Sequence, residues 1–272
     1  MNTTTRSRPP ARALAWHRSA RFEALQFIVL TAFLVAVTVH GAQSMDYQWK
    51  WEKIPKYIYR SIDGEVIWGP LMKGAFVTVE IAWKAGLLAM AIGLVTALLR
   101  MSGSIVGAAI AWIYVELVRN TPILVQMLIV YFIIAAVLGI PRQWAGVLCL
   151  AFYEGAFTAE IIRGAVIAVR KGQREASQSL GFSTFYMYRD IVLPQAIPLM
   201  LPPLGGIVVN LVKHSAIVSV IAVFDLTTQA RTLVSDTFMA FEIWLTAAAM
   251  YLVMTIALSL GVNWLERRYR AK

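Results

Sequence analysis

The sequence predicts an all-α fold, an integral membrane helical bundle of about six transmembrane helices. Three observations carry this expectation. Hydrophobic residues make up 59% of the 272, where soluble domains hold roughly 45–50%. Charged residues make up only 15%, against a usual ~25%, and mean hydropathy is +0.65. Basic residues cluster at the ends of apolar runs, which is the pattern that orients spans in a membrane. The formal net charge of +10 is therefore read as topology, with no nucleic acid as partner.

Residues 1–21 hold Arg6, Arg8, Arg12, Arg18 and Arg21 around Pro9-Pro10 and read as a basic cytoplasmic tail. Residues 22–40 read as an N-terminal transmembrane helix, since about 18 apolar residues just suffice to span. A cleaved signal peptide fits less well, because His40-Gly41-Ala42 is a poor cleavage site. Residues 41–70 read as an external loop whose Trp49, Trp51, Tyr57, Tyr59 and Trp68 suit a membrane interface. Pro55 and Gly64 weigh against a strand there.

The second span runs from Leu71 to Leu99 and is closed by Arg100. Glu80 and Lys84, at i and i+4, are spaced to pair on one helical face. Residues 105–138 would make a helix of about 50 Å at 1.5 Å per residue, too long for a ~30 Å hydrocarbon core. Pro122 lacks an amide donor, and Asn120 and Thr121 suit a cap for the next helix. This favours a shorter helix, a break at Arg119-Asn120-Thr121 and a span from Pro122 to Gly139. One tilted, kinked helix is the alternative. A span over 143–168 carries Glu154, Glu160 and Arg163. A polar segment, 170–194, precedes a span over 196–212 that ends in Lys213-His214-Ser215 and continues over 217–224. Residues 225–236 are polar, and 238–264 descend to Glu266, Arg267, Arg268, Arg270 and Lys272. Both termini then lie in the cytoplasm.

Several chemistries find no support. Cys149 is alone, and His17, His40 and His214 have no metal-ligand spacing. No GxxxxGK[ST] loop occurs, so any ATP must be bound by another chain. No catalytic or metal residues are assigned, and an intramembrane enzyme lacks its constellation. An ion-coupled secondary transporter is the remaining alternative, although no internal repeat is clear.

The segment "EASQSLGFSTFYMYRDIVLP", residues 175–194, interrupts the apolar chain. Gly181 stands where a helix over the preceding residues would end, in the position that favours glycine. Ser183 suits the cap of a second short helix, Thr184 to Ile191, and Pro194 starts the next span. Phe182, Phe185, Tyr186 and Tyr188 are expected to project toward water or a partner. On physics alone, an amphipathic loop on lipid and a docking element are equally open.

The spacing is more specific. Glu175-Ala176-Ser177, then after three residues Gly181, then after nine more Ile191-x-Leu193-Pro194, resemble the EAA motif of ABC importer permeases. Ser177 stands where the motif has a second Ala. "GAFVTVEIAWKAG", "YVELVRNTPILVQ", "AEIIRGAV", "LPQAIP" and "VKHSAIVSVIAVFDLTTQA" resemble the polar amino acid branch of that family, over about 71–268. The resemblance implies a type I ABC importer permease fold in a bacterial cytoplasmic (inner) membrane. It implies coupling helices over 170–194, with Gly172, Glu175, Ala176, Ser177, Leu180, Gly181, Ile191, Leu193 and Pro194 meeting ABC ATPase subunits. ATP and magnesium would sit on those ATPases and no cofactor on this chain. The implied partners are a second permease subunit, identical or paralogous, a periplasmic or tethered amino acid-binding protein, a polar amino acid substrate and membrane lipid. Many members of the branch have five spans, so residues 1–69 are an addition. Intramembrane ionisable groups are the default candidates for contact with a zwitterion. Here they are Glu154, Glu160, Arg119 with Asn120, Lys213 and His214. Glu154 lies deepest, while Glu160 is favoured as a structural i, i+3 partner of Arg163.

Overall fold

The computed structural model describes residues 20–45 and 47–270. The expected basic tail lies outside them up to residue 19. The chain divides into two compact units, one ending at Trp49 and one beginning at Lys50.

The first unit holds α1 (Ala20–Ser44), a helix of 25 residues. Its stretch Phe22–Ser44 has a mean hydropathy of 2.1 and no buried share. An apolar surface on every side fits a lipid environment. The helix continues four residues past the expected end at 40.

The second unit opens with a structure that differs from the expected loop. A 3-10 turn (Trp51–Lys53) leads into α2 (Pro55–Ile58), then β1 (Tyr59–Ile62) and β2 (Glu65–Trp68). The strands pair antiparallel, Tyr59 opposite Trp68 and Ser61 opposite Val66. Asp63 (φ 51°) and Gly64 (φ 83°) form the two-residue turn. Both central residues are left-handed, as a tight hairpin requires, and Asp-Gly is a favoured pair for it. Gly64 is thus the turn that makes the strands, not a residue that forbids them. Pro55 sits at the first position of α2, where its missing amide costs nothing.

Four further helices are long and apolar enough to span, Pro70–Met101, Arg142–Ala168, Thr184–Ile221 and Ala240–Arg268, beside a bent pair. α3 (Pro70–Met101) and α7 (Arg142–Ala168) are packed side by side through small residues. Ala85, Ala89 and Ala97 face Ala151, Ala156 and Ala159, all fully buried. A Cβ added at Gly93 would stand 2.5 Å from Thr158 Cβ, so only glycine admits this approach. Between helices in lipid, such close backbone packing supplies much of the cohesion.

The bent pair comprises α4 (Ile105–Arg119), α5 (Ile123–Ile129), a π turn (Val130–Ala135) and α6 (Ala136–Leu138), with a 109° change of direction at the break. The single kinked helix is therefore replaced by two. The caps differ from expectation. Asn120 Nδ2 donates to Glu116 O (2.8 Å) and Glu116 Oε2 (2.9 Å), and Thr121 Oγ1 donates to Leu117 O (2.8 Å). Both side chains serve the end of α4, whose last carbonyls lack partners within the helix. Gln126 closes the break by donating to Val118 O (2.8 Å) and Thr121 Oγ1 (2.7 Å).

α8 (Lys171–Ser179) and α9 (Thr184–Met187) come after α7. The chain then runs through a π turn (Tyr188–Val192) into α10 (Leu193–His214) and a 3-10 stretch (Ser215–Ile221). Against the expectation that Pro194 starts a new span, the helix is continuous across it. Pro194 occupies the first turn of α10, and Gln195 Nε2 donates to Ile191 O at 2.8 Å beside the widened turn. α11 (Leu226–Thr237) and α12 (Ala240–Arg270) complete the chain.

Candidate functional site

The candidate docking element begins at α8. Its C-terminus is closed by Phe182 N donating to Ser177 O (3.1 Å) and Gly181 N to Gln178 O (3.0 Å), with Gly181 at φ 79°. These are the 6→1 and 5→2 bonds of a Schellman turn. Ser183 occupies the next N-cap position, but its side chain makes no cap bond, so the expected side-chain cap is absent. Gly172, Glu175, Ala176, Leu180 and Gly181 are exposed, and Glu175 pairs with Lys171 at 3.0 Å. Leu180 (77%), Phe185 (67%) and Tyr186 (49%) present apolar surface. Tyr188, expected to project with them, is instead half-buried against the core that holds Met187 and Val192. Ser177 is buried and donates to Arg174 O at 2.7 Å, which explains a small residue there. Ile191 is half-buried, whereas Leu193 and Pro194 remain exposed.

Arg174 joins this element to the bundle. Its Nη2 donates to the Val166 carbonyl near the end of α7. Six residues before Val166, Glu160 is a hub. Arg163 Nη2 lies 2.8 Å from Glu160 Oε2, and Arg119 Nη1 3.8 Å from the same oxygen, while Arg100 contacts Oε1. The expected Glu160–Arg163 pair is present, but it is part of a larger cluster joining α3, α4 and α7. Three guanidiniums around one carboxylate leave an excess of two positive charges. Arg119 also stands 5.5 Å from the Phe157 ring. Asn120 is engaged with Glu116, not with the cluster.

Two turns further along α7, Glu154 is buried, with a side chain 3% exposed. Its Oε1 lies 2.6 Å from His214 Nδ1 at the end of α10. Which group donates follows the tautomer: where the Glu154 carboxylate accepts, Nδ1 carries the hydrogen and Nε2 is left for another partner. Tyr153 packs edge-on to the imidazole at 5.7 Å. Lys213 is exposed and takes no part in this contact.

Two further carboxylates are buried that the sequence does not mark as such. Asp225 accepts from Thr228 N (2.9 Å) and Thr227 N (3.2 Å) as the N-cap of α11, and from the Tyr251 hydroxyl at 3.3 Å. Burial raises its pKa above the ordinary carboxylate value, and these donors counter that only in part. Glu242 accepts from Lys50 N at 2.7 Å. The cap signal of Asp225 before an amphipathic run is readable; the burial of both depends on tertiary partners.

Comparison with known proteins gives this arrangement a lineage. Residues 89–271 match the family described as the binding-protein-dependent transport system inner membrane component. The chain belongs to that family. All the residues assigned to the docking element, and all the ionisable candidates, fall inside the matched stretch. The family is one of multi-pass transport subunits of an inner membrane, and it implies ATPase and binding-protein partners. The chain is 36% identical over 214 residues to the glutamine transport system permease protein GlnP of Escherichia coli (strain K12), covering 76% of this chain and 98% of that one. It is 44% identical over 156 residues to the probable glutamine ABC transporter permease protein GlnM of Bacillus subtilis (strain 168), covering 57% and 72%. A crystal structure of an amino acid ABC transporter with histidines superposes with a TM-score of 0.73 at 36% identity, over 82% of this chain and all of that one. As a permease of this family the chain is a transport subunit with an all-α importer fold, which disfavours the ion-coupled alternative.

Proposed function

We propose that this chain forms the translocation pathway of an ATP-driven importer for polar amino acids. It pairs with a second permease subunit and is driven by separate ATPase subunits that bind ATP and magnesium. The α8–α9 element docks those ATPases through Leu180, Phe185 and the surface around Glu175. Both termini lie in the cytoplasm, on the same side as this element. A substrate-binding protein delivers the amino acid from the opposite side.

One observation carries the reading. A rigid, Schellman-capped helix is tied by Arg174 to the end of α7, and α7 itself carries Glu160 and Glu154. ATPase closure moves packed helices as bodies, because a close-packed interior does not deform continuously. A displacement of α8 is thereby delivered to α7 and to the charges on it. Glu154 with His214 is suited to the substrate ammonium side of a zwitterion. The positive excess around Glu160, with Arg119 the most accessible guanidinium, suits the carboxylate side.

The test is reconstitution. The chain is purified from its membrane with co-purifying subunits and placed in proteoliposomes with labelled glutamine, arginine and glutamate. Uptake that requires ATP, the ATPase and a binding protein is expected. Uptake sustained by a proton or sodium gradient without the ATPase would overturn the reading.

A further inference from the structure

A groove of about 400 Å³ runs between α3, α10 and α12, apart from the charged pathway. It is lined by apolar side chains only, among them Val79, Trp83 and Leu87 of α3, Val208 of α10, and Met254 and Leu258 of α12. Along α3 it extends from Val79 to Met90, about 16 Å at 1.5 Å per residue. That length is about half of a ~30 Å hydrocarbon core, the depth of one leaflet.

An aromatic collar stands above the groove. Phe76, one turn before Val79, meets Trp68 of the hairpin edge-on at 5.6 Å. Hairpin register puts Tyr59 and Trp68 opposite each other, with Val66 on the same face two residues along. Tyr59, Val66 and Trp68 are about half exposed. Such rings settle at headgroup level. Lys73, three residues before Phe76, is exposed, and among the described residues no acidic group pairs with it. Glu80, the next acid along α3, is taken up by Lys84. The order along this flank is cation, aromatic collar, apolar groove.

We propose that this flank is a binding site for an anionic phospholipid, with one acyl chain in the groove and the headgroup phosphate at Lys73. Chemistry argues the occupant. The groove offers apolar side chains along one leaflet's depth, and at its collar end the exposed Lys73 has no acidic partner among the described residues, so an anionic headgroup carrying a hydrocarbon chain complements both. Hydrocarbon contact along the groove holds the chain, and the Lys73 ammonium selects a charged headgroup over a zwitterionic one.

The experiment uses the whole permease–ATPase complex, exchanged into phosphatidylglycerol or phosphatidylcholine and examined by native mass spectrometry. Phosphatidylglycerol should be retained in preference, at one or more molecules per permease chain. Val208→Trp, which fills the groove from an already exposed position, should lower that retention about tenfold. Lys73→Gln should lower it about fivefold and abolish the preference between headgroups. Unchanged phosphatidylglycerol retention by an assembled Val208→Trp complex would overturn the proposal. So would efficient cross-linking of Val208→Cys to a second permease chain in the membrane, since the groove would then be a subunit interface. The only other thiol, Cys149, is buried. ATP-driven uptake, measured in parallel, reports on the transport reading separately from lipid retention.

Discussion

Gly181 allows the coupling proposal to be tested by a change confined to one backbone turn. At φ 79° it occupies left-handed space, and a Cβ added there would meet no atom within 4 Å. A substitution therefore acts through conformation and not through a clash. Holding an ordinary L-residue in that conformation costs about 1–2 kcal/mol. The alternative is to release the two bonds that close α8, Phe182 N to Ser177 O and Gly181 N to Gln178 O, at about 1 kcal/mol each. The two escapes cost about the same, so a Gly181→Val chain loses the capped geometry by about 1–2 kcal/mol, a factor of roughly 5–30 in its population. Asparagine tolerates this region, so Gly181→Asn should be mildest, then Ala, then Val. Gly172 separates helix stability from the turn. It is helical and open, so Gly172→Ala should firm up α8 by about 0.5–1 kcal/mol without altering the turn at Gly181. The assay is ATP-driven uptake in proteoliposomes alongside ATP hydrolysis and thermal unfolding of the permease. Uptake should fall in the order Asn, Ala, Val, with unchanged insertion and only the fall of a few degrees in unfolding midpoint that about 1–2 kcal/mol gives. Wild-type uptake per ATP hydrolysed in Gly181→Val would refute the reasoning.

The charged and close-packed sites give further expected outcomes. Glu154→Gln keeps the 2.6 Å approach to His214 but removes the charge, and the difference between charged and neutral hydrogen bonds is about 1.4 kcal/mol. Substrate half-saturation of uptake should rise about tenfold, and an unchanged value and substrate range would remove Glu154 as a contact. Gly93→Val places atoms into Thr158 and should lower stability by about 1–3 kcal/mol, read as a fall in the thermal midpoint of the solubilised complex. Asp225 has a raised pKa, so its folded form holds a proton more tightly than its unfolded form. Stability contributed by the protonated acid is then lost as pH rises above the ordinary carboxylate value of about 4, and it stays lost beyond the raised pKa. Asp225→Asn keeps an N-cap acceptor without the ionisation cost, so at pH 7 it should match or exceed the parent in chemical denaturation, whereas Asp225→Ala should lose about 1 kcal/mol.

Local signals are legible where the chain itself decides. Gly181 ends α8 because backbone sterics demand it, and Pro122 marks the 109° break because no amide is there to continue the helix. The direction of a cap is harder to read. Asn120 and Thr121 sit between two helices, and both turn back to α4 because Glu116 and Leu117 offer acceptors one turn behind. The hairpin escapes a reading that treats Gly64 as an interruption, when Asp63-Gly64 is the turn that sets its register. No local pattern contains pairing across sixty residues. Glu154 and His214 each stand out as ionisable groups in apolar surroundings, but their 2.6 Å contact comes from the packing of α7 against α10. Burial of Asp225 and Glu242 likewise depends on Tyr251 and Lys50, which arrive from distant segments.

The arrangement of charges along α7 argues for why the family's fold needs so little machinery in the permease itself. Val166, Glu160 and Glu154 lie at steps of six residues on one helix, about 9 Å apart at 1.5 Å per residue. The first is held by Arg174 of α8, the second by arginines of α3, α4 and α7, and the third by His214 of α10. Under the proposed coupling, a push on α8 would reach three levels of α7 through one body, without any segment having to refold. The small-residue seam between α3 and α7 makes that body wider, since the glycine and alanine contacts leave no slack for the two helices to part. On the proposed reading, any displacement of α7 against α4 and α10 must shift both the apolar packing of Val115, Ala159, Ala196 and Leu204 and the contacts made by Glu160 and Glu154.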